Sequence, residues 1–126
     1  MSKKARINIT NDGAKGFLAR AREHARKLDR GEALAPEVTI SFEDAADMMK
    51  VLSPERVRVL RAARRGKNSV SVLASELKRN LRAVSRDVDL LEQFGLLSTR
   101  YQTNPGHGRL RVVESRAGKY RLVATV

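Results

Sequence analysis

Apolar residues recur along this chain with two different periods, and the switch between them organises it. Ala14, Phe17, Leu18, Ala21, Ala25 and Leu28 fall at i, i+3, i+4, i+7, i+11 and i+14. That spacing predicts one stripe of an amphipathic helix over 14–28, started by Asn11 or Asp12 and stopped before Gly31. A short strand at 7–10 precedes it, and another at 38–40 follows the break at Pro36. Ser41 and Asp44 have the spacing of a capping box and predict a helix over 42–52, with Ala45, Met48, Met49 and Leu52 inward.

The next three helices carry stronger start and stop signals. Ser53-Pro54-Glu55 combines a hydroxyl cap, a proline at the first helical position and an early carboxylate. It opens a helix over 54–65 with Val57, Leu60 and Ala63 inward, ended by Gly66. Ser69 caps a second, with Val70, Leu73, Ala74 and Leu77 on one face. Asn80 caps a third, with Leu81, Val84, Val88, Leu91 and Phe94 inward and Gly95 as its stop. After Gly95 the period changes to strand. Residues 96–102 and 109–113 flank a loop containing Asn104-Pro105-Gly106 and Gly108, and 120–126 is a further strand.

Two short helices joined by a tight turn and followed by a Gly-tipped hairpin give the order of a winged helix-turn-helix. The expected fold class is therefore α+β, mainly α: a winged helix-turn-helix with an N-terminal strand-helix extension. The expected division is an extension at 1–52, the winged helix at 53–113 and a C-terminal turn and strand at 114–126.

Charge sharpens this picture. The 126 residues hold 26 Lys and Arg against 14 Asp and Glu, a net charge of +12. Residues 1–30 carry nine basic and three acidic groups, and residues 31–53 carry one and five. Beyond them, 54–100 carry eleven and five, and 101–126 carry five and one. Two basic regions thus flank an acidic connector, and an excess of this size favours a polyanion partner, because each neutralised phosphate releases condensed counterions. Only five aromatic residues are present and they are scattered, which argues against stacking on single-stranded nucleic acid.

The helix from Leu81 presents Arg82, Ala83, Ser85, Arg86 and Asp89 on its outer face. Small residues permit close approach to a groove floor, while Arg82 and Arg86, four apart, share one side. Arg79 and Asn80 stand at the N-terminus of that helix, where free backbone N–H groups favour phosphate. On the hairpin, His107, Arg109 and Arg111 alternate with Gly108 and Leu110, so the basic groups share a face and can lie along a phosphate backbone. Lys67, with Arg64 and Arg65, adds cations near the end of the first helix. The bland alternative is a solvated basic surface, with Arg86 paired to Asp89.

Enzyme chemistry is not expected. With no cysteine, thiolate catalysis, disulfides and Cys-based zinc sites are excluded. The two histidines, His24 and His107, lack metal-ligand spacing, and no nucleophile triad or phosphate-binding Gly loop is present. No cofactor and no metal are expected. The basic N-terminus lacks the apolar run of a signal peptide, and no stretch approaches the ~20 apolar residues that span a bilayer. A cytoplasmic, nucleoid-associated protein without membrane contact is the expectation.

The pieces Leu52-Ser53-Pro54-Glu55-Arg56, Leu73-Ala74, Val84-Ser85-Arg86-Asp87-Val88 and Leu91-Glu92-Gln93-Phe94-Gly95-Leu96 together resemble winged-helix transcriptional regulators of the broad MarR-like kind. They are most similar to small prokaryotic DNA-binding proteins classed as antitoxins of toxin–antitoxin loci. Upstream, Leu28-Asp29-Arg30-Gly31-Glu32 and Ile40-Ser41-Phe42-Glu43-Asp44 fit the same pattern, so the resemblance covers residues 17–97. The tail over 110–126 departs from it through the basic turn Ser115-Arg116-Ala117-Gly118-Lys119. The resemblance implies a repressor of its own operon that binds double-stranded DNA at a palindromic operator. Two alternatives stay open: an antitoxin that contacts a partner toxin through the acidic connector, and a nonspecific architectural DNA binder. The stripe Phe17, Leu18, Ala21, Ala25 and Leu28 is the candidate homodimer face; packing within its own chain is the alternative.

Overall fold

A computed structural model describes residues 4–34, 36–66, 68–106 and 108–126, with only the backbone of Asn104. The chain forms two compact units, Met1–Lys50 with Lys119–Val126, and Val51–Gly118. The C-terminal tail does not stand apart as a third segment. Its strand returns to the N-terminal unit.

In that first unit, β1 (Arg6–Thr10), α1 (Gly13–Asp29) and β2 (Glu37–Ser41) make a parallel crossover, followed by α2 (Ala45–Val51). The last strand of the chain, β6 (Lys119–Val123), adds to the other side of β1 in parallel, giving the order β2-β1-β6. Register separates the two sheet faces. Ile7 aligns with Val38 and Tyr120, and Ile9 with Ile40 and Leu122, so one face is apolar. Asn8 aligns with Thr39 and Arg121, and Thr10 with Ser41, so the other is mainly polar.

Helix α1 lies over the polar face. Gly13, at φ +56°, starts it in a left-handed conformation that a side chain would strain. Arg20 donates to the carboxylate of Asp12 and, at 2.7 Å, to the Ser41 hydroxyl. Asp12 also accepts from the hydroxyls of Thr10 and Ser41 at 2.7 and 2.9 Å. One carboxylate thus ties the ends of β1 and β2 to the helix. The Ser41 hydroxyl is occupied there, so the cap of α2 is Asp44, which accepts from the backbone N–H of Asp47 at 2.8 Å.

Because the sheet face beneath α1 is polar, it selects the helix's polar side. Arg20, Glu23 and Lys27 are half-buried. The apolar stripe therefore turns outward: Phe17 is 65% exposed, Leu18 52% and Leu28 60%, with Ala21 and Ala25 exposed between them. Met49, expected inward, is exposed as well, while Met48 is buried.

The second unit is built from α3 (Pro54–Ala63), β3 (Asn68–Ser69), α4 (Val70–Leu77), α5 (Leu81–Gln93), β4 (Leu97–Asn104) and β5 (Gly108–Ser115). Its sheet has the order β3-β5-β4, all antiparallel. The helix starts follow the sequence: Ser53 accepts from Arg56 N–H at 3.3 Å, and Ser69 from Val72 N–H at 3.1 Å. Lys78 takes a left-handed conformation at the end of α4, with φ of 53°. Gly95, at φ +78°, stops α5 and turns the chain into β4. Val59, Leu73, Val84, Val88, Leu91 and Val113 are fully buried and form the core, each contributing roughly 1.5–3 kcal/mol by leaving water. Val57 is only half-buried, because Val59 and Ala62 take the inward positions beside Leu60 and Ala63. This unit is a winged helix-turn-helix.

The Asp12 cluster makes the N-terminal unit acid-sensitive. Hydrogen bonds from Arg20 and Thr10 hold the Asp12 carboxyl at about 2, below its usual 3.8. Those from Arg6 and Asn8 hold Glu37 below its usual 4.5. Lowered carboxyls stabilise the fold fully above their unfolded values, and that contribution is lost as pH falls through the folded ones. Protection of the Ile7 and Ile9 amides, relative to intrinsic exchange, should thus fall between pH ~4 and ~2, and Asp12→Asn should blunt this dependence. An identical pH profile in the variant would remove the Asp12 cluster from the account.

Candidate nucleic-acid interface

The outer face of α5 is held in place by a carboxylate on its inner face. Asp87 is buried, at 7% exposure. It accepts from Arg56 Nε of α3 at 3.1 Å and from Arg79 Nη1 of the α4–α5 turn at 2.7 Å. Arg56 also donates to the Val51 carbonyl at 3.2 Å. This corrects the expectation for Arg79: its guanidinium is an internal strut, and its side chain is 21% exposed. Asn80 is likewise a cap. Its Oδ1 accepts from the N–H of Arg82 at 2.7 Å and of Ala83 at 3.4 Å, so those two donors are not available to a phosphate. Its side chain stays exposed at the mouth of the turn.

The opposite side of α5 is different. Arg82 and Arg86 are exposed and, among the described residues, have no ion pair, while Ala83 and Ser85 are half-buried beside them. Asp89, the partner of Arg86 in the alternative reading, pairs with Arg111 at 2.7 Å. Leu81, expected inward, is 51% exposed. It lines a groove of about 250 Å³ with Val70 and Ser71 of α4, Ser85 of α5, and Tyr101, Arg109, Leu110 and Arg111 of the hairpin.

Strand register explains how the hairpin divides its cations. Tyr101 aligns with Arg111, and Thr103 with Arg109, so these four residues share one face. That face looks toward α5, where Glu92 accepts from both the backbone and the hydroxyl of Thr99 at 2.8 Å. Arg111, near the base, is captured by Asp89 and by Glu92 at 3.4 Å, leaving its side chain 18% exposed. It braces the hairpin while lining the wall of the groove. Arg109 lies two residues farther out, ~7 Å at ~3.4 Å per residue. It stacks on Tyr101, with its guanidinium carbon 4.6 Å from the ring centroid.

Of the ten residues assigned to this interface from sequence, Arg82, Ala83, Ser85, Arg86 and Arg109 come together around one groove and helix face, with Asn80 at its edge. Lys67 and His107 lie outside the described residues. Tyr101, Ser71 and Leu81 belong to the same surface and were missed. An aromatic two residues inside a predicted wing, diagonal to an arginine, was the available signal for Tyr101. Among the described residues no group of three or more His, Asp or Glu is placed to hold a metal, and no helix is long and apolar enough to cross a membrane.

Comparison with known proteins adds to this geometry. The HVO_A0114 family model matches residues 51–113. No curated protein matches the sequence. Among solved structures, a possible transcriptional regulator from Methanosarcina mazei Go1 is similar at 18% identity and a TM-score of 0.48, over 54% of this chain and 61% of its own. The homodimeric winged helix-turn-helix DNA-binding domain of a possible ArsR-family transcriptional regulator from Mycobacterium bovis is similar at 22% identity and a TM-score of 0.44. That match covers 54% of this chain and 59% of the other, so this chain spans about three-fifths of each neighbour.

The Asp87 hub makes a direct demand on stability. Asp87→Ala removes the shared carboxylate from two partly buried guanidiniums and should destabilise the winged-helix unit by about 3 kcal/mol. Urea unfolding should show a lower midpoint with an unchanged slope. A loss below about 1 kcal/mol would reduce the hub to an ordinary surface pair.

Proposed function

The chain belongs to the HVO_A0114 family, and we propose that it is a sequence-specific duplex-DNA-binding transcriptional regulator that represses its own operon. The observation that carries this reading is the outer face of α5. It holds two arginines without an ion pair among the described residues and two small residues on a braced helix, beside a stacked arginine on the adjoining hairpin. In this reading α5 enters the major groove, where Arg82 and Arg86 reach guanine edges or phosphates and Ala83 and Ser85 admit close approach. Arg109, held on Tyr101, lies along the neighbouring backbone and positions the protein without reading sequence. Autoregulation and the MarR-like character come from the sequence resemblance, as does the second reading, an antitoxin with a protein partner.

The regulator acts as a homodimer through the exposed stripe of α1, on a palindromic operator. Antiparallel pairing of two α1 helices about Ala21 would set Phe17 opposite Ala25 and Leu28 opposite Ala14. Large residues then meet small ones on both sides of the two-fold axis, as close helix packing requires. The stripe's exposure in a single chain supports this.

The first test is titration of the full chain against a duplex of its own upstream region and a scrambled duplex at ~150 mM salt. Tight binding to the upstream region alone is expected, with Arg82→Ala or Arg86→Ala weakening it by ~5- to 150-fold, as loss of a base contact does. Equal, salt-sensitive binding to both duplexes would move the function to nonspecific association or to a protein partner. Sedimentation should show a concentration-dependent mass, with Phe17→Glu held as monomer; a wild-type monomer mass at every concentration would end the dimer proposal.

A further inference from the structure

The winged-helix unit carries a second group of unneutralised cations, on α3. Residues 51–118 contain fourteen basic and six acidic side chains. Four of the six, Asp87, Asp89, Glu92 and Glu114, pair with Arg56, Arg79, Arg111 and Arg100. None of them is directed at the outer side of α3. At 100° per residue, Arg58 and Arg61 fall about 60° apart on the surface of α3, and Arg64 and Arg65 follow in the turn just past its end. All four are exposed, and among the described residues none has an ion pair or side-chain hydrogen bond. Arg61, Arg64 and Arg65 are the described residues that line an open recess of about 400 Å³. Like charges three and four apart on a helix are mutually destabilising, so this face is held at some expense to the fold.

Arg56, which reaches Asp87 on the inner face of α5, lies about 160° round α3 from Arg58, so this face points away from α5. The last turn of α3 leads into β3, where Asn68 pairs with Val113 and Ser69 with Val112. The hairpin tip closes at the Asn104–Gly108 pair. Val113 is five residues along β5 from Gly108, or ~17 Å at ~3.4 Å per residue. The chain leaving α3 thus joins the sheet near the base of the hairpin, while Arg109 lies near its tip.

We propose that the Arg58, Arg61, Arg64 and Arg65 face of α3 is a second, sequence-independent contact for duplex-DNA phosphates, separate from the one made by α5 and the wing. Guanidinium groups match phosphate oxygens bidentately, and the nearest carboxylate on α3, Glu55, stands a turn before Arg58 and about 120° round the helix from Arg61, so the cations outnumber it where a polyanion would lie. The phosphates come from DNA flanking the operator on the same molecule or from a second duplex. The proposal rests on the DNA-binding reading of α5, and the test separates the two.

The full chain is titrated with a duplex just long enough for the two half-sites, ~20 base pairs, and with one of ~60 base pairs, each carrying the upstream site. The variant Arg58→Gln/Arg61→Gln/Arg65→Gln removes three phosphate contacts. On the long duplex its salt slope should be shallower by about 2.7, at ~0.9 per contact, with binding weakened at least tenfold; on the short duplex it should match wild type. A flanking contact gives this difference at one duplex per dimer, whereas a second-duplex contact also captures a labelled duplex on an immobilised one, a capture the triple variant loses. The variant should melt at or above the wild-type temperature, since like-charge repulsion is relieved, so lost binding is not lost folding. Unchanged binding on the long duplex, or equal weakening on both, overturns the separate contact. Should Arg82→Ala and Arg86→Ala leave all binding intact while the triple variant abolishes it, the α5 reading fails and the α3 contact stands.

Discussion

A carboxylate buried on the inner side of α5 is the constraint on which the winged-helix unit depends. Burying an ionised group is unfavourable unless opposite charges and hydrogen bonds compensate it, and one partner would not fix its orientation. Asp87 has two, reaching it from α3 and from the turn that begins α5. Satisfying both guanidiniums leaves little freedom in how α3, the turn and α5 are rotated about one another. Val84, Val88 and Leu91 fill the remaining space without exposed area. Apolar packing alone is non-directional and tolerates rotation of a helix about its axis. The Asp87 hub supplies the direction, so the residues opposite it face outward.

The same logic sorts the remaining arginines. A guanidinium within reach of Asp89 or Glu92 becomes part of the frame, as Arg111 does at the hairpin base. One a pair of residues farther out is too distant and stays available, braced only by an aromatic ring, as Arg109 is. Charge placement therefore separates scaffold from interface within a single strand. Arg100 is likewise tied to Glu114, at 3.5 Å.

This sorting is also where sequence reading ended. Caps and stops are local, and Ser53, Asn80 and Gly95 announced their helices because their signals lie within three residues of the groups they satisfy. The two-residue hairpin alternation was equally visible. Nothing local distinguishes Arg79 from Arg82, or Arg111 from Arg109. The difference is set by carboxylates 8 and 22 positions away along the chain from Arg79 and Arg111 respectively, brought close only by the fold. The return of β6 to pair with β1, more than a hundred residues earlier, is long-range in the same sense. Periodicity placed the apolar stripe of α1 correctly, yet it could not say that the sheet face awaiting that helix would be polar.

That inverted helix has energetic consequences of its own. Phe17, Leu18 and Leu28 each keep more than half their surface in water, forgoing about 1 kcal/mol apiece against full burial. What holds α1 to its own sheet is the Asp12–Arg20–Ser41 cluster, an exposed polar arrangement that contributes modestly. Two-fold pairing through the stripe would recover the apolar term twice over, roughly 6 kcal/mol in all, against an association cost of roughly 4–15 kcal/mol. On the proposed reading, the dimer would form only at high concentration when free. Two half-sites on one DNA molecule would supply the missing term by raising the effective concentration of one subunit near the other. A marginal interface on α1 would then make operator binding steep in protein concentration, which is the response the proposed autoregulation needs.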